Sequence, residues 1–130
     1  MSNVDSAKAA YEAFGSGDMA TLRGFYTDDA EWWTSEETPN GGLVSGADAI
    51  LENFAQIPQY WSEFSVAPEE YIDGGDTVVV LGTISGTAAQ GGGSFESPYA
   101  HVLRYDSGGK LVRGDFHSDS AKEAKAQAGG

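Results

Sequence analysis

The sequence predicts an α+β domain with helices on one face of a curved, mainly antiparallel sheet. Three observations predict it. Apolar residues recur at helical spacing near the N-terminus, a second such stripe runs from Ala47 to Ile57, and strand-like segments punctuated by turn residues follow from Trp61. The order is helix, helix, strand, helix and then four strands, with no internal repeat and no linker. The 130 residues are therefore expected to form one domain, 1–130.

Each element has its own signal. Val4, Ala7, Tyr11 and Phe14 fall at i, i+3, i+7 and i+10 on one helical face, and Gly15 and Gly17 end the helix. Asp18 is placed to cap a short second helix that buries Met19, Leu22 and Phe25. Ala30-Glu31-Trp32-Trp33-Thr34 reads as a short aromatic strand; its alternation puts the two tryptophans on opposite faces. Residues 35–45 are polar and Gly-rich, a loop long enough to act as a flap. Ser45 and Asp48 make a variant capping box for a helix whose Ala47, Ile50, Leu51, Phe54 and Ile57 share a face, and Pro58 stops it. Trp61 to Asp73 is a strand interrupted by Pro68, hence an edge or a bulge. Thr77-Val78-Val79-Val80-Leu81 is apolar on both faces and reads as central. Gly91-Gly92-Gly93 marks a turn, residues 94–105 and 110–119 supply the last strands, and Ser120 with Glu123 caps a short C-terminal helix.

Composition narrows the function classes. Twenty acidic against seven basic residues give a net charge of −13, which repels phosphate backbones and anionic lipid, so neither nucleic acid nor a membrane surface is an expected partner. There is no cysteine, so disulfides, thiolate catalysis and Cys-ligated metals drop out. The first residues lack a basic segment followed by an apolar one, and no apolar run approaches the ~20 residues of a membrane span; a cytoplasmic, soluble protein is expected. The acidic pairs Asp28-Asp29, Glu36-Glu37 and Glu69-Glu70 lack calcium-loop spacing and read as solvated surface. The triple glycine does not open a helix, so it is no phosphate cradle.

The grouping suited to chemistry lies on the last hairpin. If Ser107, Gly108 and Gly109 form a three-residue loop, Asp106 pairs with Lys110. Counting outward, Leu103 faces Arg113, His101 faces Asp115 and Tyr99 faces His117. His101, Arg113, Asp115, His117 and Asp119 would then share one face. Facing inward among Phe14, Trp33, Phe54 and Trp61, the His101–Asp115 pair would serve as an acid–base couple. Facing outward, the two would form an ordinary cross-strand pair, and Ala100, Val102, Val112 and Phe116 would line the interior instead. His117 and Tyr11 are further candidates to hydrogen-bond a ligand. The histidines and carboxylates lack a recognised metal-ligand spacing, so no metal is expected.

Several motifs in series resemble the SnoaL-like proteins of the nuclear transport factor 2-like superfamily. They are Tyr11-Glu-Ala-Phe-Gly-Ser-Gly-Asp18, Phe25-Tyr-Thr-Asp-Asp-Ala-Glu-Trp32, Ser45-Gly-Ala-Asp-Ala-Ile50, Asp73-Gly-Gly-Asp-Thr-Val-Val-Val80, Gly109-Lys-Leu-Val112 and Asp119-Ser120. The resemblance implies a cone-shaped α+β barrel with three helices on its sheet, a deep apolar pocket and a homodimer formed through the sheet. It also implies a cofactor-free acid–base isomerase, cyclase, dehydratase or epoxide hydrolase acting on a small, neutral, hydrophobic molecule. The alternative it leaves is a non-catalytic binding or dimerisation module, since this fold hosts both. Cyclases of this type look similar in placing an Asp on the last strand and a polar partner on the strand before, which here implies Asp115 as base and His101 as its partner. Tyr11, Phe14, Trp33, Phe54, Trp61 and His117 are the expected substrate-binding residues.

Overall fold

The computed structural model describes residues 2–129. Helix α1 (Asn3–Ser16) starts at a reciprocal cap. The Ser2 hydroxyl accepts from the Asp5 N–H, while the Asp5 carboxylate accepts from the Ser2 N–H. It ends at Gly17 in the left-handed region, φ 75°. Helix α2 (Met19–Arg23) is capped by Asp18. There follow β1 (Tyr26–Thr34), β2 (Gly42–Ser45), α3 (Ala47–Ala55), α4 (Ile57–Tyr60), β3 (Trp61–Asp73), β4 (Thr77–Ala88), β5 (Ser94–Tyr105), β6 (Leu111–Ser118) and α5 (Ser120–Gln127). The strands form one open six-stranded sheet in the order β2-β1-β6-β5-β4-β3. Only β1 and β6 run parallel. The α+β class and the helices expected on the sheet are what the structure shows. The core lies between the sheet's inner face (Val78, Val80, Ile84, Leu103, Leu111) and Ala7, Leu22 and Ile50 of the helices.

Three local expectations are corrected. Pro58 does not stop a helix that reaches Ile57: α3 ends at Ala55, and Pro58 sits in the first turn of α4, where its missing N–H costs no bond. Residues 42–45 are a strand, because Leu43 and Val44 pair with Trp33 and Trp32 on the open edge of β1; the flap shrinks to residues 35–41. Helix α3 has Gly46 at its N-cap, φ 96°, and no side-chain cap; Asp48 instead holds the Arg23 guanidinium at 2.8 Å. Pro68 behaves as expected: β3 is an edge strand, and its register breaks between Pro68 and Glu70. Strand β4, inside the sheet, alternates buried and half-buried positions along its whole length.

The last hairpin matters most. Its turn forms as the sequence predicts: the Asp106 N–H donates to the Lys110 carbonyl at 2.8 Å, and Gly109 takes φ 81°. Immediately beyond, Tyr105 pairs with Leu111 but Arg104 pairs with Arg113, so Val112 is an extra residue in β6. Every later pair slips by one. His101 faces Phe116, Tyr99 faces Ser118, Val102 faces Asp115 and Ala100 faces His117. The expected His101–Asp115 pairing is therefore wrong, because a bulge of one residue reverses the face of all that follows.

Past the bulge, Gly114, Phe116 and Ser118 point inward and Arg113, Asp115 and His117 outward. Gly114 leaves room for the Trp32 ring, which a Cβ at 114 would meet at 2.6 Å. Gly114→Ala is accordingly expected to destabilise the fold by about 1–3 kcal/mol through overpacking. Urea unfolding checks the loss, and the near-ultraviolet circular dichroism should change as Trp32 shifts.

Candidate functional site

Between the inner face and helices α1, α3 and α4 lies a cavity of about 150 Å³. A single water needs only ~10–15 Å³ on the same scale. Phe14, Trp32, Phe54, Trp61, Phe64 and Phe116 supply most of its aromatic wall. The flap supplies Ser35, Thr38, Pro39 and Asn40. A reciprocal pair of bonds ties it to α3: Asn40 Nδ2 donates to the Asn53 carbonyl at 2.9 Å, and Asn53 Nδ2 to the Asn40 carbonyl at 3.1 Å. Asn40 sits at φ 65°, a conformation that asparagine tolerates better than most residues.

Polar groups in this wall are few. His101 is 4% exposed, with Trp32 edge-on at 4.7 Å and Phe116 at 5.0 Å. Its Nδ1 lies 2.8 Å from the Tyr11 hydroxyl, while its Nε2 is buried without a hydrogen-bond partner. Burial pushes the imidazole down to about 3; the negative charge of Asp115 opposes the shift and His117 adds to it. Burial likewise drives the Tyr11 hydroxyl far above its ordinary value. Both groups are thus neutral at physiological pH. A phenol that keeps its proton donates it to the better acceptor, the ring nitrogen, so Nδ1 accepts and Nε2 carries the hydrogen. The Tyr99 hydroxyl is also buried, close enough to Tyr11 for the two phenols to influence each other. Its ionisation is pushed up to about 12, chiefly by burial.

A second polar point sits on α5. Glu123 is 4% exposed and lines the cavity. Its Oε1 accepts from the Ser118 hydroxyl at 2.7 Å. Burial raises its pKa, and the Ser118 hydrogen bond partly offsets that.

Of the residues expected from the sequence, Tyr11, Phe14, Phe54, Trp61 and His101 line the cavity. Asp115, Trp33 and His117 do not; they lie on the outer face. The bulge turns Asp115 and His117 outward, and β1 pairs Trp33 with Asp115 and Trp32 with Gly114, so Trp32 is the tryptophan inside. Asp115 is gripped by Arg113 at 2.8 Å, which holds its carboxyl below the usual carboxylate range. That makes it a poor base. Trp33 packs on His117 with ring centroids 5.2 Å apart and donates to Glu36 Oε1 at 3.2 Å.

The residues that sequence reasoning missed are Trp32, Ser118 and Glu123. For the first two a signal existed. Leu111 and Phe116 are both apolar at an odd spacing, with a glycine between, and strict alternation cannot bury both. Glu123 had none, since its helix is a plain Ala/Lys segment. Among the described residues, no three His, Cys, Asp or Glu side chains converge as metal ligands. Among the described residues, no helix is long and apolar enough to cross a membrane.

An open sheet wrapped on helices around an aromatic cavity is the architecture of nuclear transport factor 2-like proteins, and solved structures agree. A nuclear transport factor 2-like protein of Burkholderia thailandensis is 30% identical over 97% of each chain, with a TM-score of 0.90. TerC, co-crystallised with polyporic acid, is 26% identical over 97% of this chain and 98% of its own, at 0.85. A ketosteroid isomerase-like fold from Catenulispora acidiphila, in complex with trimethylamine, is 16% identical over 93% and 91%, at 0.78, and shows the fold alone. Residues 7–114 match the SnoaL-like domain, and the chain belongs to that family. No curated protein matches it.

The imidazole supplies a pH test. The ordinary histidine value is 6.5 and the folded value about 3, so between them the unfolded chain binds a proton that the folded chain excludes. The stability carried by neutral His101 is full above 6.5 and is lost as pH falls toward 3. Thermal melts of His101→Leu should therefore show a smaller loss on acidification through the upper half of that window than melts of the parent protein.

Proposed function

We propose that this protein binds a neutral, flat, largely aromatic molecule in its cavity and polarises a carbonyl or enol oxygen of that molecule through His101. The chemistry is cofactor-free proton transfer of the isomerase, cyclase or dehydratase type. The observation that carries this reading is the buried, unpartnered Nε2 of a neutral imidazole in an aromatic chamber. An unsatisfied buried donor costs about 1–3 kcal/mol, which a ligand oxygen recovers. A neutral imidazole is a known way of polarising a carbonyl without a charge. Developing oxyanion charge in such a dry site makes one preorganised donor worth about 10²–10³ in rate.

Neutral ligand chemistry fits a cavity wall that holds no Lys or Arg among the described residues. The edge-on rings of Phe14, Phe54 and Trp32, at 5.1–5.5 Å, suit aromatic guests. The co-crystal of TerC with polyporic acid supports a small organic ligand for a protein of this fold. We further propose a homodimer through the outer face of the sheet, where exposed Leu43 stands beside half-buried Trp33 at one edge and Ile72 is exposed on the strand at the other.

The ketone 2-tetralone tests the pocket. It should bind the protein with its infrared carbonyl stretch lowered. His101→Leu should weaken binding about tenfold or more, near 1.4 kcal/mol, and return the stretch to its free value. Asp115→Asn should leave both unchanged. Failure of the ketone to bind, or an unshifted carbonyl in the parent complex, would sink the reading. For the dimer, sedimentation should give twice the chain mass, and Trp33→Glu should halve it.

A further inference from the structure

We infer that Glu123 is the general base of this cavity, taking a proton from the carbon next to the carbonyl that His101 holds. This rests on the ligand reading above and goes beyond it by naming the group that moves the proton. The argument starts from placement. Ser118 and His101 are diagonal neighbours on the inner face, since Ser118 pairs with Tyr99 and His101 with Phe116. Such neighbours lie roughly 7–8 Å apart along the sheet, which puts the imidazole and the carboxyl hydrogen-bonded to Ser118 on the wall of the same cavity.

Elimination then leaves one candidate. The other ionisable groups in the cavity wall are His101 and the tyrosines Tyr11, Tyr26, Tyr60 and Tyr105. Tyrosine hydroxyls are acids far too weak to stand ionised as bases near neutral pH. The imidazole is committed as a donor through Nε2 and as an acceptor, from Tyr11, through Nδ1. Glu123 is the one carboxyl in the wall. Its Oε1 is held by Ser118, and its Oε2 makes no hydrogen bond among the described residues. Burial raises its basicity in the direction a base working near neutral pH requires, with nearby Asp119 adding to the effect.

The step balances within these groups. The C–H bond breaks and its proton goes to Glu123 Oε2. The electron pair left on carbon forms the C=C bond of an enolate, whose oxygen accepts the His101 Nε2 hydrogen bond. Protonated Glu123 then returns the proton to the same carbon, or to a conjugated one, which gives an isomer.

Exchange of the C1 hydrogens of 2-tetralone for deuterium, followed by proton NMR in D2O, reads this step without knowledge of the natural substrate. The parent protein should accelerate exchange over buffer, and Glu123→Gln should lose about 10²-fold or more of that acceleration while still binding the ketone. Gln127→Ala removes a different tie of α5, the bond from Gln127 Nε2 to the Tyr60 carbonyl, and leaves Glu123 and Ser118 in place, so it should keep the exchange. Were Glu123 only a fastening for α5, Gln127→Ala would cost as much as Glu123→Gln, and the inference falls. It falls too if Glu123→Gln exchanges as fast as the parent, or if the parent binds 2-tetralone without accelerating exchange; in those cases the ligand reading stands. Should the Gln variant not fold, retained exchange in Gln127→Ala against loss in Glu123→Asp carries the same decision. No binding of the ketone overturns both.

Discussion

Val112 carries no chemistry, yet the site depends on it. By occupying β6 without a partner in β5, it moves Gly114, Phe116 and Ser118 to the inner face and sends Arg113, Asp115 and His117 outside. Bulges add local twist and bend the strand that carries them, and on the other side of β6 the parallel register with β1 shifts over the same stretch, between the pairs Tyr26–Leu111 and Glu31–Arg113. The absence of a side chain at 114 then lets Trp32 lie flat against the strand and form a wall of the cavity. A strand that alternated strictly would put an ion pair inside and a phenylalanine outside.

The same inversion sorts two ionisable residues into opposite environments. Asp115, outside, meets a guanidinium, stays charged and is spent on an ion pair. His101, inside, loses its charge to desolvation and becomes a directional hydrogen-bond donor held by Tyr11. Neutral polar groups in a dry aromatic box act through geometry, because hydrogen bonds strengthen where water does not compete. Glu123 follows the same logic from the other side of the cavity: burial makes a surface-type residue more basic, and a single serine orients it.

Much of the fold was legible in the residues. The apolar stripe Val4–Phe14, the β-branched run Thr77–Leu81, Pro68 in an edge strand and the Gly109 turn each have one local physical cause and were read correctly. Strand β2 was not, because four residues without strong alternation become a strand only when β1 offers an unpaired edge. The Ser45–Asp48 box failed because the helix starts one residue later, with Gly46 as its N-cap, which leaves Asp48 at the second helical position, where it meets Arg23 from another helix.

By itself the sequence determined the fold class, the order of the longer elements and the aromatic character of the interior, through periodicity and turn chemistry that act within a few residues, and the family, through its series of motifs. Tertiary structure alone decided which polar side chains face that interior. Face is a parity, and a parity is reversed by one unpaired residue, whose position depends on the strands on either side of β6 rather than on β6 itself. Burial of Glu123 was decided in the same way: its helix has no large apolar residue to mark an inward face, and only its docking against β5 and β4 takes that carboxyl out of water.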